Sequence, residues 1–432
     1  MISTARSSND HMTTVSAMLR DAVYKAKSLG PDDIDTYVAT YEAIVTHIEQ
    51  QIRNSDSTCA ATAFEHVADA FASKQVWKHA RDTYSQALQV INAGAEASSS
   101  SVAASNESAI QQKPACGAFT VLQKIANACM HLKDYDGAWK AHQECLDIVK
   151  PPSFPISDSR IVTVIGNMGH VLYAKGGAAA MGTAITIYNQ CLRLQRSLSS
   201  RDLLAEANTM SKIGCIFRLG GRLDTAIEWY EGAIEVRTEV LGDYHVGLSS
   251  DLLAIGNILY RQRELDSALA AFSEYLSLDR SSSPDSEACF FVHVLDKMGA
   301  ICVQLEDETN ARACYEDLVS IARAEVVHSK SLAMAFARSL YNLAVIHNAE
   351  GHISKAIASV EESIQVGILE SSLASRCLAL IKFLYLKKGD EEKVQMYQRM
   401  ISDLLVGGDE SSEYRHTKRC KKNNNNHGAA AA

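Results

Sequence analysis

A chain of 432 residues is too long for one compact core and calls for several domains or for a stacked repeat. Its 47% hydrophobic and 22% charged residues suit a folded chain, and a net charge of −9 argues against a general nucleic-acid binder, which needs a basic surface. No apolar run approaches the roughly eighteen residues of a membrane span, and the polar stretch 1–14 lacks a signal-peptide core, so the expected setting is the cytoplasm.

In chain order, residues 14–29 and 32–53 form two expected helices around Gly30 and Pro31, capping one end of the molecule within 1–56. From there one signature recurs. Residues spaced 3, 1 and 3 mark one face of a first helix, and residues spaced 4 and 3 mark the apposed face of a second. In 61–94, Phe64, Val67, Ala68 and Phe71 precede Ala80, Tyr84 and Ala87. Residues 95–117, with Ser98 to Ser101, are expected to be a flexible linker. In 119–152, Leu122, Ile125, Ala126 and Cys129 precede Ala138, His142 and Cys145. In 162–198, Ile165, Met168, Gly169 and Leu172 precede Ala184, Tyr188 and Cys191.

The clearest copy is 207–240, where Met210, Ile213, Gly214 and Phe217 precede Ala226, Tyr230 and Ala233, with Gly220 and Gly221 in the turn. In 249–282, Leu252, Ile255, Gly256 and Leu259 precede Ala268, Phe272 and Tyr275. In 292–325, Leu295, Met298, Gly299 and Cys302 precede Ala311, Tyr315 and Leu318. In 337–370, Leu340, Leu343, Ala344 and His347 precede Ala356, Val360 and Ser363. A degenerate eighth copy, 375–408, keeps Leu378, Ile381 and Tyr385 before Gly389 and Val394. The six prolines, at 31, 114, 151, 152, 155 and 284, mark expected gaps between elements, because proline breaks helix interiors.

Small residues at the eighth and twentieth places of each copy, with aromatics at the eleventh and twenty-fourth, resemble the tetratricopeptide-repeat family over roughly 61–408. The resemblance implies an all-α fold, a right-handed superhelical solenoid of about seven to eight helix-turn-helix repeats. Between copies the spacing from Ala226 to Ala268, Ala311 and Ala356 exceeds the family's basic unit, which calls for longer second helices or longer connections. That spacing, with Leu241, Gly242 and His245 after the fourth copy, resembles the kinesin-light-chain style of repeat, although Val246 stands where that style has proline.

No metalloprotease, dinucleotide, phosphate-loop or nucleophile-elbow motif stands at a suitable place, so neither catalytic nor metal residues nor a cofactor are expected. Cys129, Cys145, Cys191 and Cys302 fall in core register, as small buried hydrophobes. His142 and His347 are expected to be satisfied structural histidines, and the acidic runs at 306–308 and 390–392 to be solvated turn charge. The tail 409–432 is low in complexity and expected to be disordered. Its Lys418, Arg419, Lys421 and Lys422 supply a weak nuclear-entry element.

The family resemblance further implies that first helices line the concave side of the stack. Carried over, it gives a peptide-binding groove of Asn208, Ser211 and Arg218 from the fourth copy, beside Cys215 and Leu219. The fifth copy adds Asn257, Tyr260 and Arg261, beside Ser250 and Leu253; the sixth adds His293 and Asp296, beside Gln304; the seventh adds Arg338, Tyr341 and Asn348. The lysine–asparagine clamp by which some relatives hold a C-terminal carboxylate is not matched: Lys212 is in place, but Gly166, His170 and Ala254 occupy the companion positions. The expected function is that of a non-enzymatic scaffold or adaptor holding an extended segment of another protein. The alternative is a structural subunit docked through its convex side and ends, and the oligomeric state stays open.

Overall fold

The computed structural model describes residues 57–101, 107–149, 159–278, 288–325, 330–366 and 371–406, with Ala39 and Thr46 as single helical residues. Most of the expected capping helices and the whole tail lie outside these residues. Each of the eight sequence copies is a helix pair. The pairs are α1 (Ser57–Ser73) with α2 (Trp77–Ser101), α3 (Glu107–His131) with α4 (Tyr135–Val149), α5 (Ser159–Lys175) with α6 (Ala178–Ser197), and α7 (Leu203–Leu219) with α8 (Leu223–Leu241). After a short 3-10 turn (Val246–Leu248) come α9 (Ser249–Gln262) with α10 (Leu265–Ser277), α11 (Ala288–Gln304) with α12 (Glu308–Glu325), α13 (Lys330–Ala349) with α14 (Ile353–Gln365), and α15 (Ser371–Lys388) with α16 (Glu391–Val406). The described residues hold no strand. None of their helices is long and apolar enough to cross a membrane.

The turn inside each pair has one construction. The fifteenth residue of the copy adopts a left-handed backbone, whether it is glycine (Gly176, Gly221, Gly351, Gly389) or not (Gln75, Lys133, Arg263, Glu306). In seven copies the next N–H returns to the carbonyl of the eleventh residue, as from Asp307 to Cys302 at 2.9 Å and from His352 to His347 at 2.8 Å. This closure satisfies carbonyls that a helix end leaves open. The third copy departs from it at Gly176 and Gly177, where the sequence carries extra residues. Aspartate then caps several second helices: Asp134 accepts from Gly137 N–H at 3.0 Å, Asp307 from Asn310 N–H at 3.1 Å and Asp390 from Lys393 N–H at 3.1 Å. The acidic runs at 306–308 and 390–392 thus hold helix caps as well as turn charge.

Packing inside a pair follows from the small residue at the eighth place. A Cβ on Gly256 would stand 2.6 Å from the Phe272 ring, and one on Gly299 2.6 Å from the Tyr315 ring. The glycine therefore makes room for the aromatic at the twenty-fourth place, whose ring fills the gap between the helices.

The chain divides into two compact groups, 1–236 and 237–432. In the first, Phe64, Val67, Phe71, Tyr84, Leu122 and Val149 belong to one buried cluster, and Tyr188, Ile213 and Ile216 to another. In the second, Tyr315, Leu318, Phe336 and Leu340 form one cluster and Val360, Cys377, Ile381 and Tyr385 the next.

Two expectations are corrected here. Helix α2 runs on to Ser101 and α3 begins at Glu107, so most of the stretch expected as a flexible linker is helical. Its alanines and serines cost little in a helix, and extending an existing helix adds a hydrogen bond for each residue fixed. Pro114 lies within α3 rather than in a gap. The longer spacing between copies has two origins. Helix α8 is extended to 19 residues, whereas α10 has only 13 and the excess falls in the connection after it. The Leu241–His245 motif ends α8: Gly242 takes a left-handed φ of 89°, and His245 Nδ1 accepts from Gly247 N–H at 2.9 Å.

Candidate functional site

Within residues 237–432 the first helices of successive repeats meet one another, α11 with α13 and α13 with α15, more than the second helices do. Side chains one repeat apart pair across this row. Lys297 donates to Asn257 Oδ1, and Arg338 forks onto Asp296. Ser331 Oγ lies 3.3 Å from His293 Nε2, and Lys387 donates to Asn348 Oδ1 at 3.1 Å. The Arg376 guanidinium stands 4.5 Å from the centre of the Tyr341 ring. Burial holds the half-buried Lys297 ammonium below the usual lysine range.

The structure thus brings together eight of the groove candidates on one helix row, and six of them are already engaged by the neighbouring repeat, His293 by Ser331. Asn257, Asp296 and Asn348 spend side-chain acceptors on cations of the next repeat; Arg338 spends donors, and Tyr341 one ring face. Tyr260 is half-buried and Arg261 exposed at the end of α9. The three candidates of the fourth copy belong to the other compact group. There Asn208 is exposed, Ser211 Oγ donates to its own helix at Ala207 O (3.0 Å), and Arg218 is half-buried with Nη2 3.9 Å from Cys215 Sγ.

Four apolar side chains, which a pattern of polar anchors does not include, share the row. Val303, Val345, Phe383 and Leu386 are 52%, 42%, 42% and 61% exposed. They occupy the ninth or twelfth place of their copies, the same places as Asn257 and Tyr260. Register alone finds them once every residue type is admitted at those places.

Cys129, Cys145, Cys191 and Cys302 are buried, and burial raises all four thiols, Cys145 to about 12. Such thiols carry little thiolate near neutrality and are poor nucleophiles. His142 is a core residue but not a satisfied one, since its Nδ1 has no hydrogen-bond partner; burial, then His170, holds its imidazole down at about 4. His347 is not satisfied either: its buried Nδ1 makes no hydrogen bond and lies 3.5 Å from Glu350. His347, Glu350 and His352 bring ligand-type atoms within 4.8 Å of one another in the α13–α14 turn. The Arg312 guanidinium already binds the Glu350 carboxylate, so the cluster is balanced by charge within the protein.

No curated protein matches the sequence significantly. Among solved structures, BtubC (BKLC) from P. vanneervenii is 14% identical, with 59% of this chain and 93% of that chain covered and a TM-score of 0.45. The C-terminal part of a TPR repeat-containing protein from Cytophaga hutchinsonii is 16% identical over 72% of this chain and 97% of that chain, at a TM-score of 0.47. The apo quorum sensor NprR from B. thuringiensis is 13% identical over 91% and 99%, at 0.45. The family model described as tetratricopeptide repeat matches residues 218–281, from the end of α7 through the fifth copy. Residues 218–281 thus match the tetratricopeptide-repeat family, and the remaining copies repeat the helix pair and left-handed turn found within that segment.

Proposed function

We propose that the protein is a non-enzymatic scaffold or adaptor that holds a segment of a partner protein along the first-helix row of residues 237–406. The observation that carries this reading is the exposure of Val303, Val345, Phe383 and Leu386 beside Tyr260 and Arg261 on one row of a stack whose core is filled without them. Contiguous exposed apolar side chains rimmed by polar ones mark interaction surfaces, and a preformed helical row limits the ordering cost of association. The setting proposed is the cytoplasm, where the thiols stay reduced.

The test separates fold from binding. Tyr260→Ala with Arg261→Glu alters the row outside the Asn257–Lys297 contact and is expected to cost about 1 kcal/mol of stability, since Tyr260 is half-buried and Arg261 exposed. It should weaken capture of partners at least tenfold, or about 1.4 kcal/mol. Gly256→Leu, on the same helix, drives a side chain into the Phe272 ring and should cost on the order of 1–3 kcal/mol of stability. Thermal melts and pull-downs on both variants give the comparison. Normal capture by the Tyr260/Arg261 variant would transfer the function to the second-helix side and ends, where Val240 and Tyr244 are also exposed.

A further inference from the structure

Charge is sorted by helix within residues 237–406. The four first helices α9, α11, α13 and α15 carry eight lysines and arginines against two aspartates. The four second helices carry five against eleven acids. Both first-helix aspartates are already bound, Asp251 to Arg237 and Asp296 to Arg338. Among the second-helix cations, Arg323 binds Glu362 of the next second helix at 3.0 Å and Arg312 binds Glu350 in the α13–α14 turn, while Lys393 donates to the Tyr385 hydroxyl of α15 at 2.7 Å. A protein of net charge −9 therefore keeps a basic row, and that row bears the exposed Val303, Val345, Phe383 and Leu386.

Resting on the first-helix reading above, we infer that the ligand of this row is an acidic, amphipathic segment of another protein. Its carboxylates would meet Arg261, Arg376, Lys387 and Lys388, and its apolar side chains the four exposed hydrophobes. Unlike charges along an interface select partners and speed encounter, and like charges reject them. Lys387, whose ammonium stands 4.9 Å from the centre of the Phe383 ring, places cation and apolar surface side by side, so one short segment engages both. The chain's own 409–432 is a poor occupant, because its cluster at Lys418, Arg419, Lys421 and Lys422 repeats the sign of the row.

The probe is a fluorescently labelled peptide alternating glutamate with leucine and phenylalanine, titrated onto the full chain by anisotropy. Its counterpart has lysine for every glutamate. The acidic peptide is expected to bind at least tenfold tighter than the lysine peptide, with affinity falling as salt rises. Arg376→Glu with Lys387→Glu should weaken it at least tenfold, and Val345→Ser with Phe383→Ser severalfold. Lys355→Glu with Arg399→Glu makes the same change of net charge on exposed second-helix positions and should have little effect.

A lysine peptide that binds as tightly as the acidic one, and is weakened by the Val345/Phe383 pair, overturns the ligand class and leaves the row as the binding surface. Acidic-peptide binding untouched by both first-helix pairs overturns the row itself. A salt-sensitive dimer of the chain, broken by Arg376→Glu with Lys387→Glu, would assign the row to the acidic helices of a second copy and overturn the inference. The peptide and salt comparisons use the unaltered protein, so they stand even if a variant folds poorly.

Discussion

At the scale of one residue, His142 holds the place where other copies carry Tyr84, Tyr188 or Phe272, and it fills that space as a buried ring. Unlike those rings it can take a proton, and burial keeps it neutral until about pH 4, against an ordinary value of 6.5. The unfolded chain therefore binds a proton between those limits that the folded chain refuses. Stability contributed by this site is complete above about 6.5, falls as pH drops through the window, and falls no further below about 4. A shift of that size corresponds to roughly 3 kcal/mol. The variant His142→Phe is expected to lose this part of the pH dependence, so that its melting temperature overtakes the parent's as pH falls from 6.5 towards 4. Parallel melts across that range check it, and identical pH profiles for the two proteins would remove the account.

At the scale of the element, the passage from α8 into α9 depends on a pair that hydropathy patterns do not reveal. Arg237 near the end of α8 and Asp251 in the first turn of α9 form an ion pair with side chains only 8% and 2% exposed. The aspartate also sits where a helix N-terminus favours negative charge. Removing one partner strands the other in the interior. Asp251→Ala is expected to cost about 3–5 kcal/mol, whereas Arg237→Met with Asp251→Leu should recover most of that loss. Denaturant melts of the single and double variants measure the difference. A double variant no better than the single one would mean that the charges themselves, and not their burial together, hold the joint. Both residues are plain in the sequence, but their pairing depends on the path of residues 242–248 between the helices, which periodicity does not describe.

Over the whole molecule, one left-handed turn residue per repeat is the recurring local strain. Gln75, Lys133 and Glu306 hold it with a Cβ, at a cost of roughly 1–2 kcal/mol each relative to a relaxed backbone. Glycine would relieve most of this while adding some unfolded-chain entropy. The triple variant Gln75→Gly, Lys133→Gly, Glu306→Gly is therefore expected to be more stable, by about 0.5–1 kcal/mol per site, and nearly additive because the sites lie in separate repeats. Arg263 is left out because its guanidinium also donates to Gln304 at 2.9 Å. A lower denaturation midpoint for the triple variant would show that these side chains stabilise their turns by contacts that outweigh the strain. Stability in a stack is close to a sum of repeats and their interfaces, so small gains at equivalent places accumulate.

The sequence by itself determined the helix pairs, their faces and the turns. These follow from a period of 3.6 residues and from small and aromatic residues at set places, and both act within a few tens of residues. Gly256 against Phe272 was legible in this way, as were the buried Cys145 and Cys191. Tertiary structure alone decided which residues of the first-helix row are available. Asn257 read as a free peptide anchor, yet Lys297 of the next repeat occupies it; Asp296 is likewise taken by Arg338. These partners stand 40 and 42 residues apart, and only the stacking of one helix pair on the next brings them together. The same stacking left Val345 and Phe383 uncovered, because burial is a property of the neighbours a side chain acquires and not of its own type.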